Sequence, residues 1–398
     1  MQKPQTSQFE FVALMAFLMS VVALAIDALL PALDIIGSSI STISAAENQL
    51  LITMIFLGLG FGPLLFGPLS DSLGRKPVVF MGFAVFILAS LICVSATSLE
   101  IMIVGRILQG IGLSAPRTIS VAIIRDMYSG DRMAKIMSFV VVIFLLVPII
   151  APALGKFILD HYNWQAIFYI QILFSLMISY WFWKRQAETL KIENRIKLDK
   201  HLFIDGFKEL IKYKKTLAYT VISGFVTGSF MVYLSSSQQI FQDQYSLKEE
   251  FPIIFAGLAI SMGLAIFING NIVIKYGMKR LITLSLFLFF GVSFLYVILF
   301  YSNPNPSIEI LLLFFSLQFF ALGFLFGNLR SIAMQPVGHI AGIASAITGL
   351  ISTLMAVPIS ILVGSYVSET SLPIFIGFSI CSFLALLILL YIKIKLKK

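Results

Sequence analysis

The chain has 398 residues, of which 59% are hydrophobic and 12% are charged, and it carries a net charge of +9. Soluble domains average about 25% charged residues, so this chain has too few charged side chains to cover a water-exposed surface of its size. The composition therefore excludes a soluble enzyme, a disordered chain and a nucleic-acid-binding protein. With a mean hydropathy of +0.98, it indicates an integral membrane protein.

No cofactor, metal ion or catalytic group is expected. Cys93 and Cys381 lie in apolar runs, and the three histidines are scattered along the chain. These positions indicate neither a disulfide nor a metal-ligand cluster. The sequence contains no Gly-x-x-x-x-Gly-Lys-Ser/Thr loop for a nucleotide phosphate, which argues against an ATP-driven process. We therefore expect a protein that is not an enzyme.

Twelve stretches are long and apolar enough to cross a membrane, which takes about 20 residues in a helix. The first lacks the basic start and the small-residue cleavage site of a signal peptide. No soluble domain is left between the stretches, so the predicted fold is an all-α membrane protein. The predicted spans are residues 9–36, 47–69, 77–97, 99–125, 133–158, 165–184, 216–240, 251–274, 280–301, 308–332, 341–366 and 371–393.

The distribution of Lys and Arg predicts how the spans are oriented. Cytoplasmic loops are enriched in these residues, and with the N-terminus inside, the outer loops hold only Lys156 and Lys248. An even number of spans then places both termini in the cytoplasm. The predicted domains are six-helix bundles at residues 1–183 and 216–398, joined by a basic cytoplasmic linker at 184–215.

Part of this linker has the pattern of an amphipathic helix. Leu202, Phe203, Phe207, Leu210 and Ile211 follow a helical spacing. Such a helix is able to bind anionic lipid headgroups, whereas a solvated linker that obeys the charge rule would show similar residues. Both interpretations stay open.

The second half of the chain repeats part of the first. Two glycines and a lysine after the second span, Gly67, Gly74 and Lys76, recur at the same offsets after the eighth span, in residues 270–279. Parallel repeats of six helices are a common transporter plan, with the substrate held near the membrane midplane.

The loop after the second span resembles the signature loop of the major facilitator superfamily, Gly-x-x-x-Asp-Arg/Lys-x-Gly-Arg-Lys. Gly67, Asp71, Gly74, Arg75 and Lys76 match it, while the Arg/Lys position holds a serine. The resemblance implies two six-helix pseudo-repeats and a loop that serves as a conformational latch. An ion pair between Asp71 and Arg75 and a tight turn at Gly74 are expected.

Two further motifs are similar to those of twelve-helix drug:proton antiporters, in the bicyclomycin/chloramphenicol-resistance branch. The fourth span contains Arg106-Ile-Leu-Gln109-Gly110, and the fifth contains the antiporter-like residues 148–155 with Pro148, Pro152 and Gly155. The first span contains Asp27-Ala-Leu-Leu-Pro31, and the fourth ends Ile124-Arg125-Asp126. The resemblance implies proton-driven export across a bacterial cytoplasmic (inner) membrane.

Asp27 and Arg106 are the candidate proton-coupling residues. A charged group inside a span costs at least about 2.5–3.5 kcal/mol, so Asp27 is expected to face the bundle or a wet cavity. Asp27 lies about nine residues before the outer end of its predicted span, and Arg106 about seven after the outer start of its own. At 1.5 Å per residue these depths are similar, so the two side chains are able to pair. A structural ion pair is the alternative interpretation.

Four further residues are candidates for a substrate cavity, and each also has a structural interpretation. Asp34 follows Asp27 by two helical turns, so the two are predicted to share a face. Arg117, inside the fourth span, favours an anionic group in the cavity or reaches the inner surface. Tyr233 and Gln238 either contact substrate or bond between helices.

Pro148 and Pro152 lie one turn apart in the fifth span. Each removes a helical hydrogen bond, so the span is predicted to bend there, as a flexing joint or a static kink. Together these features predict a proton-coupled exporter of small amphipathic compounds that uses the proton gradient, with substrate, protons and the bilayer as partners and a monomeric state. A dedicated exporter of a metabolite such as a siderophore, a proton-coupled uptake symporter and a non-transporting receptor or channel remain alternatives.

Overall fold

A computed structural model describes residues 7–196, 202–302 and 305–395. In this part of the chain all regular secondary structure is helical, and no strand occurs. The helices are α1 Gln8–Asp27, α2 Leu33–Ser39, α3 Ala45–Leu73, α4 Arg75–Val94, α5 Leu99–Met127, α6 Gly130–His161, α7 Gln165–Arg185, α8 Leu202–Ile211, α9 Lys214–Gln238, α10 Phe251–Tyr276, α11 Met278–Phe300, α12 Ile308–Met334, α13 Ala341–Gly364 and α14 Leu372–Lys395.

Twelve helical segments of the described chain are long and apolar enough to cross a membrane, and they correspond to the twelve predicted spans. The first segment, Gln8–Ser39, is not one helix, because α1 and α2 are separated by a turn and a short 3₁₀-helix at Leu30–Ala32. The seventh continues from α9 into a π-helical turn at Gln239–Gln244. The fold is therefore the predicted all-α membrane architecture, with local breaks that hydropathy does not reveal.

The chain divides into two compact units. The first contains the described parts of residues 1–43 and 54–202, and the second contains residues 44–53 and the described parts of 203–398. The first turns of α3 thus group with the second unit. The predicted linker, residues 184–215, is shared between the two units, with α8 almost entirely in the second.

Glycines hold the helices of the first unit in close contact around α5. A Cβ atom built on Gly58 of α3 would lie 2.0 Å from the carbonyl oxygen of Ile107, and one built on Gly110 would lie 2.0 Å from that of Ile55. Small residues allow helix backbones in membranes to approach this closely. The contact fixes the rotation of α5, and therefore the direction of its buried polar side chains.

Aromatic rings and amide side chains join the helices of the second unit. The rings of Tyr296 and Phe375 stack with centroids 3.7 Å apart. Asn328 Nδ2 donates to Asn269 Oδ1 at 2.7 Å, which connects α10 with α12. Gln318 Nε2 donates to the carbonyl of Phe289 at 3.1 Å. Interhelical hydrogen bonds of this kind stabilise bundles in an apolar medium.

Gly74 and Gly277, which occupy equivalent positions in the sequence repeat, have the same structural role. Gly74 lies between α3 and α4 with φ of 109°, and Gly277 lies between α10 and α11 with φ of 76°. One residue in each half therefore joins two long helices through a backbone conformation that side chains rarely adopt.

Candidate functional site

The first span breaks at Asp27, the last residue of α1. Pro31 explains the break, since it has no N–H to donate to the carbonyl of Asp27 four residues earlier and its ring crowds that carbonyl. The N–H of Leu29 bonds to Ile26 at 3.3 Å, so the carbonyl of Ala25 lacks its usual helical donor. The predicted span 9–36 therefore contains two helices joined by a short turn, and the shared face of Asp27 and Asp34, which was argued for a regular helix, stays a prediction.

Arg106 of α5 caps this helix end. Its side chain is fully buried, and Nη1 donates to the Ala25 carbonyl at 3.1 Å and to Gln109 Oε1 at 2.8 Å. Gln109 Nε2 in turn donates to Ser90 Oγ of α4 at 2.7 Å. A cation at a helix C-terminus is favoured by the aligned backbone dipoles. Arg106 therefore stabilises the break and is itself held by the Gln109–Ser90 chain.

Asp27 is 5% exposed, at the helix end that Arg106 caps. Among the ion pairs of the described residues, none joins Asp27 to Arg106. The sequence placed the two at similar depths, and the structure brings Arg106 to a carbonyl two residues before Asp27 without forming that pair. An ionised carboxylate in such a place is costly unless water or a partner compensates it.

Gly155 of α6 lies against the same break. A Cβ atom built on Gly155 would lie 2.0 Å from the carbonyl oxygen of Ala28, the residue that follows Asp27. Pro148 and Pro152 lie inside α6, which is helical from Gly130 to His161. Pro152 leaves the carbonyl of Pro148 without its helical donor. The antiporter-like residues of the fifth span thus meet the first span at its break.

The predicted ion pair forms where α3 meets α4, with Asp71 in the last turn of α3 and Arg75 as the first residue of α4. Arg75 is 4% exposed, and its guanidinium contacts the carboxylate of Asp71 and donates from Nη1 to Ser70 Oγ at 2.9 Å. Its Nε donates to Asp126 Oδ2 at 2.9 Å, at the end of α5. Asp126, which belongs to the Ile124-Arg125-Asp126 motif at the end of the fourth span, is the second carboxylate of the Arg75 network.

Glu188, which the sequence analysis missed, caps α4. Its Oε1 accepts from the backbone N–H of Arg75 and its Oε2 from that of Lys76, both at 2.9 Å. The neighbouring Thr189 Oγ1 donates to Asp126 Oδ2 at 3.0 Å. A carboxylate at a helix N-terminus satisfies two free donors and interacts favourably with the helix dipole. The sequence signal that could have pointed to this role of Glu188 was an acidic residue within a basic linker.

The remaining candidates lie at separate places. Within the first unit, Asp34 is partly exposed in the first turn of α2 and Arg117 is exposed on α5. Gly67 is not in close contact, since a Cβ atom built there meets nothing within 4 Å. In the second unit, Tyr233 is buried with its ring centroid 4.6 Å from that of Phe319.

The end of α9 forms a polar segment. Gln238 was predicted as a candidate residue there, and its polar neighbours were not. Gln238 Nε2 donates to Gln242 Oε1 at 3.3 Å, and Gln239 Oε1 accepts from Gln49 Nε2 at 2.8 Å. The π-helical turn lies in this segment, and such turns are frequent at functional sites. The buried polar residues of the segment are Ser235, Ser236, Ser237, Gln238, Gln239 and Gln242.

Comparison with known proteins decides the family. The sequence profile described as Major Facilitator Superfamily matches residues 13–358. The chain belongs to the major facilitator superfamily. It is therefore a multi-pass membrane transporter, and transporters of this superfamily carry small-molecule substrates.

Relatives of this major facilitator include named resistance proteins. It is 27% identical to a bicyclomycin resistance protein homolog of Haemophilus influenzae over 96% of both chains. It is 30% identical to a chloramphenicol resistance protein of Pseudomonas aeruginosa over 64% of this chain and 60% of that one. A crystal structure of a D-xylose-proton symporter shares the fold, with a TM-score of 0.75, 14% identity and coverage of 96% of each chain.

The two linking glycines of this major facilitator give a matched test of the Glu188 cap. Both G74A and G277A place a side chain in a backbone conformation that costs about 1–3 kcal/mol. At position 74 the new Cβ would also lie 2.7 Å from Glu188 Oε2, whereas at 277 it would meet nothing within 4 Å. We expect G74A to lower the unfolding temperature in detergent more than G277A. Equal losses would contradict the role of the cap.

Arg106 and Arg117 give a second matched pair on one helix. In R106K, the side chain ends one bond short of the position of Nη1, which donates to both Ala25 and Gln109, and a buried polar group left unpaired costs about 1–3 kcal/mol. R117K keeps the positive charge at an exposed position, where an ionic contact contributes at most about 1 kcal/mol, so we expect a smaller loss than in R106K. Thermal unfolding of both variants measures the difference. A stability loss in R117K as large as in R106K would contradict the buried capping role.

Proposed function

We propose that this transporter exports small amphipathic compounds in exchange for protons, by alternating access. The observation that carries the proposal is a buried carboxylate, Asp27, at a broken transmembrane helix whose end is capped by Arg106. Discontinuous helices are a recurrent feature of transporter binding sites, because their free backbone ends face the ions or substrates. Similarity to bicyclomycin and chloramphenicol resistance proteins supports export of compounds of that kind.

In this mechanism Asp27 binds the proton that drives export. A proton arriving from outside neutralises Asp27 and removes the cost of a buried charge, and its release to the cytoplasm restores the charge. Arg106 acts on this step through the helix end, since it fixes the Ala25 carbonyl and places a cation close to Asp27. Substrate and proton then oppose each other's binding by the same free energy.

The Arg75 network is the proposed conformational latch. Gly67, Asp71, Gly74, Arg75 and Lys76 form the loop, and Asp126 and Glu188 hold it from two other segments of the first unit. Buried charge networks have few alternative arrangements, so they suit an element that is either made or broken during a cycle.

The energy source and location follow from the same proposal. The proton gradient drives transport without a bound cofactor. The protein acts as a monomer in a bacterial cytoplasmic membrane, with both termini in the cytoplasm, as the distribution of basic residues favours.

A second candidate is a dedicated exporter of an anionic metabolite. Arg117 supports it, since this base lies inside a transmembrane segment and is exposed. A cationic side chain in such a segment usually marks a ligand path or a partner. In the accumulation assay below, export of acidic compounds and its loss in R117A would favour this candidate.

Accumulation of chloramphenicol in cells tests the proposed function. We expect cells expressing the transporter to retain several-fold less labelled chloramphenicol than cells expressing D27N. A protonophore is expected to abolish the difference, since it removes the gradient. Equal accumulation for chloramphenicol and for a panel of amphipathic compounds, with both proteins present in the membrane, would contradict multidrug export.

A further inference from the structure

Helix α8 presents an apolar stripe to its surroundings. Ile204, Phe207 and Ile211 are 52%, 46% and 48% exposed. At 3.6 residues per turn, these three side chains fall within an arc of about 60° on the helix. Three large apolar side chains on one face of a ten-residue helix form a continuous surface rather than scattered exposure.

A second face of α8 is fixed against the second unit. Leu210 is fully buried, and a Cβ atom built on Gly206 would lie 2.7 Å from Ile343 Cδ1 of α13. Gly206 and Leu210 are one turn apart, so they define the docked face. This close contact prevents α8 from rotating its apolar stripe into the protein.

The charged side chains of α8, and Lys212 directly after it, lie beside and behind the stripe. At 100° per residue, Lys208 lies about 70° from the centre of the stripe, Lys212 about 110°, Asp205 about 130° and Glu209 about 170°. These residues form ion pairs such as Lys212 Nζ to Glu209 Oε2 at 2.7 Å. The helix is thus divided into an apolar arc and a charged arc. This division is typical of helices that lie in a membrane interface.

The position of α8 along the chain decides what covers the stripe. Only Lys212 and Tyr213 separate its last residue, Ile211, from the first residue of α9, a segment that is able to cross a membrane. Two residues reach at most about 7 Å, so α8 is held at the surface of the bilayer. Lys214 and Lys215 follow at once, and from Asp205 to Lys215 four lysines stand against two carboxylates.

We propose that α8 lies in the lipid interface at the membrane surface where α9 begins, with Ile204, Phe207 and Ile211 inserted between headgroups and its lysines near anionic lipid phosphates. The lysine stems allow their charges to reach the headgroups while the apolar stripe stays below them. This assignment is independent of the substrate and of proton coupling.

Site-directed spin labels on the full-length protein test the proposal. F207C and D205C place a label on the stripe and, as the matched control, at an exposed charged position about 160° around the helix. Cys93 and Cys381 are buried, so they are not expected to react. In nanodiscs of phosphatidylcholine with phosphatidylglycerol, we expect the ratio of oxygen to nickel-chelate accessibility to be several-fold higher at 207 than at 205.

The possible results separate lipid from other partners. Equal ratios at 207 and 205, or a lower ratio at 207, would overturn the proposal and leave water or a protein as the occupant of the stripe. Nanodiscs of phosphatidylcholine alone test the lysines, and there we expect the label at 207 to lie less deep. The same depth in both membranes would overturn the contact with anionic lipid. Thermal unfolding of each labelled variant verifies that α8 remains folded.

Discussion

D27N abolishes the pH dependence of substrate binding while leaving binding itself measurable. In the wild-type protein, a substrate that displaces one proton binds up to about tenfold more weakly for each unit of pH decrease, once Asp27 is being protonated. The asparagine side chain of the variant cannot take up a proton, so its affinity for substrate becomes flat with pH. Equilibrium binding of a transported compound to purified protein between pH 5 and 8 measures both profiles.

D34N is the matched control for this result. Asp34 is the next carboxylate along the chain and is partly exposed in the first turn of α2. We expect D34N to keep the pH dependence of the wild-type protein. A D27N variant that retains the full slope would contradict the assignment of Asp27 as the proton-binding group, and loss of the slope in D34N would move that role to Asp34.

G155A has the second large effect, because it separates α6 from the break in the first span. The new Cβ would lie 2.0 Å from the Ala28 carbonyl oxygen, far inside van der Waals contact and against backbone rather than a flexible side chain. Overpacking of this kind costs about 1–3 kcal/mol or more. We expect reduced thermal stability of the purified protein, and transport in proteoliposomes as low as that of D27N.

G349A distinguishes this close contact from a general effect of losing a glycine. Gly349 lies inside α13, and a Cβ atom built there meets nothing within 4 Å. Alanine is favoured over glycine in a helix by about 0.5–1 kcal/mol, so G349A is expected to leave stability and transport unchanged or slightly higher. A G155A protein that matches G349A in both measurements would contradict the contact.

Much of the architecture was predictable because each span is identified by hydropathy summed over many residues. Twelve spans follow from hydropathy alone, since each needs only a long apolar stretch. The turn at Gly74 and the ion pair of Arg75 with Asp71 were also predictable, because a motif places these residues within one loop. Family membership followed from the same loop.

The break at Asp27 was not predicted, although its cause is visible in the sequence. Pro31 lies four residues after Asp27, but proline is frequent in transmembrane helices and the flanking residues stay apolar, so hydropathy shows one span. If the first span is taken as one regular helix, the carbonyl of Ala25 is expected to bond within that helix, so no bond from Arg106 is expected. The sequence therefore suggested an ion pair for Arg106, where the structure has a helix cap.

Polar contacts between residues that are far apart in the chain could not be predicted from the sequence either. Glu188 bonds to the backbone of Arg75, 113 residues earlier in the chain. No local periodicity or spacing connects two such positions, and a single acidic residue in a basic linker has many solvated explanations. Contacts of this kind depend on how the helix ends meet, which the sequence pattern alone does not specify.

Proton movement in proteoliposomes tests the central claim most directly. Purified protein is reconstituted with an acidic lumen and a trapped pH dye, and a compound exported by cells is added outside. The account predicts that the compound makes the lumen more alkaline, and that D27N does not respond. Entry of the compound into liposomes that contain the wild-type protein, with no change in luminal pH, would contradict proton antiport and indicate a uniporter.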